Sequence, residues 1–318
     1  WRGSTETMDA STWSDGSSPR RVMIVDDEDL VRASLADMVE LSGYQVCGQA
    51  ANGYEAARLI GSAHPDIVLM DIMMPTMDGV EALQIINATR PTCSLIISAY
   101  CSPDLLKQVT RAGAQGYLMK PFRPSDLVPA IETALAQFER SRLATEVDRI
   151  ESFFERAWSQ ASAGSSIGRA LEGALVEACG LIEETGYVLV VRQGARMRAL
   201  SVRGVKGISP GQTLGPADGR LGVALQRQGI CRSHLIGAPS DQAAVLSLQV
   251  ALDDGVLGCL CLLAPEGYSF TLREECLLRA MVRGLSTFLF RVRESRPHAW
   301  NMWLDRRLGR VPAARRRR

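Results

Sequence analysis

The sequence predicts two globular domains, an α/β domain with a parallel sheet followed by an α+β domain with an antiparallel sheet. The chain has 318 residues, of which 46% are hydrophobic, and this is enough for two cores of ordinary size. From residue 20, short β-type runs alternate five times with helical stretches, an order typical of a parallel sheet covered by helices. After residue 165, strand-like runs follow one another across short turns, which indicates antiparallel pairing.

The first domain, residues 20–138, is predicted to contain five strands and five helices. The strands are apolar runs at 22–25, 45–50, 66–70, 94–98 and 116–120. The helices are a stretch that ends near 41–44, then 54–63, 79–88, 104–114 and a helix from Ser125. In such sheets the functional crevice lies at the carboxyl ends of the strands, so residues that directly follow a strand are candidates for a site.

The fifth helix is predicted to continue past the first domain as a helical linker, residues 139–164. Its apolar residues step by four and three positions, as in one seam of a coiled coil: Leu143, Val147, Ile150, Phe154, Ala157 and Ala161. We expect this stripe to pair two copies of the chain in parallel and so to produce a homodimer. The alternative is one amphipathic helix that lies on its own domain.

The second domain, residues 165–292, begins and ends with a helix, 167–185 and 272–293. Between them the sequence predicts strands at 186–194, 197–205 and 230–236, a short helix at 219–229, and a hairpin of strands 245–252 and 256–264 around an Asp-Gly turn.

Two flanking segments have a composition that does not predict a core. Residues 1–19 are rich in Ser, Thr, Asp and Gly and are expected to form a flexible leader. Residues 293–318 are rich in Arg, and we expect them to be disordered. Arginine with interleaved tryptophan could also contact nucleic acid or an anionic membrane, although a solvated tail is the simpler interpretation.

Composition excludes several classes of protein. The net charge of +1 gives no affinity of the whole chain for polyanions, and no apolar window is long enough for a transmembrane segment. The eight cysteines contain no C-x-x-C pair, and together with the lack of a secretory signal this predicts a reduced, cytoplasmic protein. We find no helix-turn-helix pattern after the first domain, and therefore predict no DNA-binding domain.

Polar residues follow four of the predicted parallel strands, and we expect them to meet at one edge of the sheet. Asp26 and Asp27 follow the first strand, Asp71 follows the third, Ser98 ends the fourth and Lys120 ends the fifth. Each alone has an ordinary explanation, such as a helix cap or a loop. Their convergence at the carboxyl ends of the strands indicates a site.

The chemistry of this cluster predicts a Mg²⁺-dependent phosphoryl acceptor. Close carboxylates repel one another by roughly 4 kcal/mol per pair at an effective dielectric constant near 20, so a divalent cation and Lys120 would stabilise them. Phosphoryl transfer depends mainly on positioning and charge neutralisation. Asp71 would be the nucleophile, the Ser98 hydroxyl would donate to a phosphoryl oxygen, and Ala99 would leave room for the group.

The motifs VDDE, D-x-M-M-P-x-M-D-G, S-A and K-P-F stand in this order in the sequence. With them, residues 20–138 resemble the receiver domain of two-component response regulators, which implies a flavodoxin-like fold. The resemblance implies that Asp26, Asp27, Asp71 and the Met73 backbone carbonyl bind Mg²⁺. Asp71 would receive the phosphoryl group from a histidine kinase or a phosphotransfer protein. It further implies a cis Lys120–Pro121 peptide and an aromatic switch residue at Tyr117.

Residues 165–292 resemble a GAF domain in the stretches GRLGVALQRQGI, VLSLQVALDDGVLGCLCLL and YSFTLREECLLRAMV. Such domains bind a small molecule or dimerise. The Asn and Lys of the cyclic-nucleotide pattern are missing, and no Cys-His pair supports bilin attachment, so the ligand is unknown.

These observations predict a response regulator that is not an enzyme beyond its own phosphorylation and dephosphorylation. Phosphorylation of Asp71 would switch the receiver and, through the helical linker, a GAF-type regulatory domain. The alternative is a small-molecule sensor in which the GAF-like domain is the input and the receiver is mainly a dimerisation scaffold.

Overall fold

The computed structural model describes residues 18–182, 185–193, 196–205, 207–214, 230–234, 244–252, 255–265 and 267–308. These residues divide into two compact units, with the boundary between Ser141 and Arg142. Each unit contains one β-sheet with its own topology. The described part of the chain contains no helix that is both long and apolar enough to cross a membrane.

The first unit is a five-stranded parallel sheet with helices between the strands. Its strands have the order β2-β1-β3-β4-β5, and every neighbouring pair is parallel. The predicted fold class is therefore confirmed, with boundaries that differ from the predicted ones by a few residues. The elements are β1 (Arg21–Val25), α1 (Asp29–Leu41), β2 (Gln45–Ala50), α2 (Gly53–Ala63), β3 (Ile67–Met70), α3 (Gly79–Thr89), β4 (Cys93–Ser98), α4 (Pro103–Arg111), β5 (Gly116–Met119) and the first part of α5 (Pro124–Ser162).

The central strands explain why the sheet is parallel and covered on both sides. Every residue of β3 and of β4 is buried, as expected for strands with helices on both faces. Side chains that alternate along β1 and β3 enter two separate hydrophobic cores, one on each face of the sheet. This arrangement directs the polar residues after the strands towards one edge.

Short polar side chains start three of the helices. Asn52, Asp78 and Ser102 each accept a hydrogen bond from the backbone N–H three residues further on, which caps α2, α3 and α4. Such caps stabilise a helix by about 1 kcal/mol and fix where it begins.

The second half of α5 belongs to the second unit, which corrects the prediction of a separate linker over 139–164. The predicted seam is buried inside the chain: Ile150, Phe154, Ala157 and Ala161 lie in the core of this unit, and Leu143 and Val147 pack against it. The periodicity does mark a buried face, but the partner of that face is the rest of the second unit, neither a second copy of the chain nor the first domain. The homodimer stays a prediction, and this stripe is not free to form it.

The second unit is an α+β fold with a six-stranded antiparallel sheet in the order β8-β7-β6-β11-β10-β9, which confirms the predicted class. The predicted helix at 219–229 and the Asp253–Asp254 turn lie outside the described residues. The GAF assignment stays a prediction. After the second half of α5, the described elements of the second unit are α6 (Ile167–Cys179), β6 (Gly186–Gln193), β7 (Arg196–Arg203), β8 (Thr213–Leu214), β9 (Cys231–His234), β10 (Ala244–Leu252), β11 (Gly255–Ala264), α7 (Leu272–Ser295) and α8 (Pro297–Leu308).

The expectation of disorder over residues 293–318 is wrong for residues 293–308. α7 continues to Ser295, and α8 follows it with Trp300 buried in the core of the unit. Arg307 donates to the Leu200 carbonyl at 3.2 Å and pairs with Glu172 at 2.6 Å. The tryptophan burial and these polar contacts hold the helix in place. Residues 309–318 lie outside the described part of the chain.

Candidate functional site

Three carboxylates meet at the carboxyl edge of the first sheet. Asp26 and Asp27 directly follow β1, and Asp71 directly follows β3, its neighbour in the sheet. One carboxylate oxygen of each residue lies within 4.8 Å of the others. The structure therefore brings together the acidic cluster that the sequence predicts.

Lys120 follows β5 and bridges two of these carboxylates. Its Nζ lies 2.7 Å from Asp26 Oδ2 and 2.7 Å from Asp71 Oδ2. Burial lowers the pKa of Lys120, but hydrogen bonds and charge attraction from Asp26 and Asp71 outweigh it, so the net pKa is raised. The lysine therefore stays charged at neutral pH and offsets part of the acidic cluster.

Asp71 is held in a fixed orientation but remains reachable. Its Oδ1 accepts hydrogen bonds from the backbone N–H groups of Ile72 at 2.6 Å and Met73 at 3.3 Å. Its own N–H donates to the Val25 carbonyl at 2.8 Å, which ties it to β1. The side chain retains 12% exposure, so a reactant can approach a carboxylate oxygen. Such a positioned carboxylate is suited to nucleophilic attack.

The donor set fits a magnesium ion. All three candidate ligands are carboxylates, the hard oxygen donors that Mg²⁺ prefers, and Asp27 is exposed, so water can complete the coordination shell. Asp26 is almost fully buried and accepts a hydrogen bond from the Glu28 N–H at 3.0 Å, which holds its carboxylate in place. Met73 lies in the adjacent loop and is largely exposed.

The predicted switch residues lie on β4, β5 and the loops after them. Ser98 is buried, and its carbonyl accepts the Lys120 N–H at 2.8 Å, while its hydroxyl accepts the Tyr100 N–H at 3.4 Å. Ala99 is exposed beside it. The half-buried Tyr117 donates its hydroxyl hydrogen to the Tyr100 carbonyl. Burial is the main reason that the pKa of Tyr117 is raised. The Lys120–Pro121 peptide is cis.

Gly79, the last residue of the D-x-M-M-P-x-M-D-G motif, also shapes the site, although the motif alone does not predict its role. Gly79 opens α3, and a Cβ there would lie 2.3 Å from the Asp71 carbonyl oxygen. Its N–H donates to the Ile72 carbonyl at 2.9 Å, and Asp78 caps the helix from the preceding position. Glycine is required because the backbones of the Asp71 loop and α3 approach closely. The sequence signal for this contact is the pair Asp78–Gly79, a helix-capping aspartate followed by a residue without a side chain.

Comparisons with known proteins identify relatives of the first unit. Residues 22–132 match the family described as "Response regulator receiver domain". The chain is 40% identical over 146 residues to the "Transcriptional regulatory protein PdtaR" of Mycobacterium tuberculosis, a match that covers 44% of this chain and 71% of that protein. It is also 40% identical to the "Chemotaxis protein CheY" of Thermotoga maritima, over 35% of this chain and 94% of that protein.

A solved structure, the CheY-like "response regulator receiver domain protein" from Methanospirillum hungatei, is 32% identical with a TM-score of 0.37. It covers 39% of this chain and 98% of its own. The family match ends at residue 132, so it says nothing about the second unit. On its sequence relatives, its family match and the acidic cluster at the edge of a parallel sheet, this chain belongs to the response-regulator family.

Proposed function

We propose that the protein is a phosphorelay response regulator whose Asp71 accepts a phosphoryl group with the help of Mg²⁺. The observation that carries this proposal is the juxtaposition of three carboxylates with one lysine at a single sheet edge. A purely structural cluster would not need the exposed Asp27 and the partly exposed Asp71 beside the buried Asp26, since neighbouring carboxylates repel one another.

In the proposed reaction a carboxylate oxygen of Asp71 attacks the phosphorus atom of a phosphohistidine. The new O–P bond forms as the P–N bond breaks, and the imidazole leaves with the electron pair and then takes a proton. Lys120 lies close enough to Asp71 to contact the transferred oxygens, and the Ser98 hydroxyl would donate to one of them. A magnesium ion, when bound by Asp26, Asp27 and Asp71, supplies further charge neutralisation.

The proposed switch uses Ser98 and Tyr117. A phosphoryl group adds roughly −1.5 to −2 charge units at Asp71, which would draw the Ser98 hydroxyl towards it. The space that Ser98 leaves would admit Tyr117, which would then release the Tyr100 carbonyl that its hydroxyl contacts. The β4–α4 loop would change with it. Coupling of this kind is typically about 1–3 kcal/mol.

The proposal assigns a histidine kinase or a phosphotransfer protein as the phosphoryl donor. Eight free cysteines support a reduced compartment, the cytoplasm. The output is proposed to pass to the GAF-like second unit, which shares the helix α5 with the receiver. No specific observation favours the sensor alternative over this one.

Phosphorylation of the full chain by acetyl phosphate and Mg²⁺ tests the proposal. Intact-mass spectrometry should show one added phosphoryl group in the wild type, none in Asp71→Asn, and one in Asp104→Asn, which changes an exposed aspartate on α4. Phosphorylation of Asp71→Asn to the wild-type level would contradict the assignment. Beryllofluoride with Mg²⁺ then separates the two functions: altered hydrogen exchange in α5 supports a phosphorylation output, and unchanged exchange supports a scaffold.

A further inference from the structure

We infer that Arg32 is a positioning residue for the β1–α1 turn, residues 26–28, and thereby for divalent-cation binding. The inference rests on the proposed function, which assigns Asp26 and Asp27 to the cation. Arg32 belongs to none of the motifs that identify the site. Its role follows from its contacts in the structure.

The Arg32 guanidinium contacts the turn directly. Nη1 donates to the Asp26 carbonyl oxygen at 2.5 Å, and Nη2 pairs with the Asp29 carboxylate. The arginine side chain is only 15% exposed, whereas that of Asp29 is 87% exposed. The buried end of this arrangement is therefore the contact with the Asp26 backbone, and the pair with Asp29 lies at the surface.

A second set of hydrogen bonds closes the same turn. The Glu28 N–H donates to Asp26 Oδ1 at 3.0 Å, and the Arg32 N–H donates to the Glu28 carbonyl at 2.9 Å. Asp27 lies between Asp26 and Glu28, which these hydrogen bonds hold in place, and its own side chain is exposed. Its carboxylate therefore depends on the backbone of the turn for its direction towards Asp71.

The location of Arg32 is otherwise unfavourable, which supports a specific role. It lies in the first turn of α1, where the helix dipole disfavours a cation. Glu28, the described residue that precedes α1, does not cap the helix with its side chain. The position of Arg32 is explained by its contact, because its guanidinium donates to the Asp26 carbonyl in the turn that carries the candidate ligands.

Charge and positioning predict opposite effects when Arg32 is replaced. A positive charge near the cluster repels a divalent cation, so removal of the charge alone would tighten cation binding. Loss of the hydrogen bond to Asp26 would loosen the turn and weaken cation binding, because the ligands would no longer be held in place. The sign of the change therefore distinguishes the two roles.

The test is a titration of the full chain with Mn²⁺, followed by electron paramagnetic resonance of the free ion. Mn²⁺ is suitable because it takes the same oxygen ligands as Mg²⁺. We expect the Mn²⁺ dissociation constant to rise about 3- to 10-fold in Arg32→Met, which has no donor. We expect the same in Arg32→Lys, because a single ammonium cannot contact the Asp26 carbonyl and Asp29 together as the planar guanidinium does. The matched control is Arg111→Met, which removes an exposed arginine in the last turn of α4 and should leave the constant unchanged.

Two results would overturn the inference: tighter or unchanged Mn²⁺ binding in Arg32→Met, or wild-type binding in Arg32→Lys. Circular dichroism in EDTA shows whether each variant is folded at the temperature of the titration. If Arg32→Met is unfolded, the result with Arg32→Lys decides. Failure of the proposed function looks different, because the wild type itself would then bind neither Mn²⁺ nor beryllofluoride.

Discussion

Lys120 Nζ lies 2.7 Å from Asp71 Oδ2, and the same nitrogen lies 2.7 Å from Asp26 Oδ2. A single lysine therefore neutralises one charge of a three-carboxylate cluster and leaves two negative charges at the edge of the sheet. A divalent cation would balance those two charges. The lysine and the cation thus compete electrostatically in the resting site and would act together once a phosphoryl group is present.

Replacement of Lys120 by Met should tighten divalent-cation binding and destabilise the protein without cation. The loss of like-charge repulsion should lower the Mn²⁺ dissociation constant at least about tenfold. Without cation, the buried Asp26 loses its partner, which should cost about 1–3 kcal/mol of unfolding free energy. Mn²⁺ titration and urea unfolding in EDTA measure the two effects.

The control for this variant is Lys107→Met, since Lys107 is exposed and pairs with the exposed Asp104 at 3.4 Å. Because the pKa of Lys120 is raised in the folded state, its contribution is fully present below the ordinary lysine pKa. The stability difference between wild type and Lys120→Met should hold at neutral pH and shrink above about pH 10.4. A difference that grows as pH rises would contradict this ion-pair arrangement.

Gly79→Ala should impair both folding and phosphoryl acceptance. The new methyl group would lie 2.3 Å from the Asp71 carbonyl, so the loop or α3 must shift. Such overpacking costs about 1–3 kcal/mol. Urea unfolding and the rate of acetyl-phosphate incorporation measure the effect.

Gly61→Ala is the matched control for Gly79→Ala. Gly61 lies within α2 with no atom near its would-be Cβ, so alanine should stabilise the protein by about 0.5–1 kcal/mol. Equal effects of the two substitutions would contradict the close approach of Gly79 to Asp71.

The cysteines should separate into reactive and unreactive groups in a titration with Ellman's reagent at pH 8. Cys101 and Cys276 are exposed and should react quickly. Replacement of either one by Ser should remove one equivalent of fast-reacting thiol. Burial raises the pKa of Cys93 and of Cys179 to about 12, so these thiols should react only after unfolding. The second sheet contains three buried thiols, Cys231, Cys259 and Cys261. Their rapid reaction in the native protein would show that the strands of this sheet are misplaced.

The site could be predicted because it depends on the order and direction of the strands rather than on the conformation of the loops. Apolar runs such as residues 67–70 predict parallel strands, and parallel strands deliver the residues that follow them to one edge. The contact of Gly79 with Asp71 was not predicted because it depends on the backbone path of residues 72–78, which no periodic pattern encodes.

The errors concern the partner of one helix face and one helix that was not predicted, α8. The stripe that contains Ile150 and Phe154 shows that one face of a helix is buried, but a period of this kind does not say against what. α8 was missed because its burial rests on few residues, chiefly Trp300, within a charged segment. In both cases the deciding contacts are distant in sequence.

Gly284→Ala tests whether the second half of α5 packs against α7. A Cβ at Gly284 would lie 2.4 Å from the Phe154 ring, and both residues are buried. Alanine should therefore destabilise the second unit by about 1–3 kcal/mol, because the ring must move or the helices must separate. Hydrogen exchange of α5 and α7 together with urea unfolding measures the change.

The control is Gly173→Ala on the exposed face of α6, where nothing lies near the would-be Cβ and alanine should stabilise by about 0.5–1 kcal/mol. If residues 139–164 instead formed a coiled-coil linker, their apolar stripe would pair with a second copy of the chain and would not contact α7. Under that arrangement Gly284→Ala would behave like Gly173→Ala, and hydrogen exchange of Phe154 and its neighbours would not change. A selective rise in exchange at both helices supports the intramolecular packing.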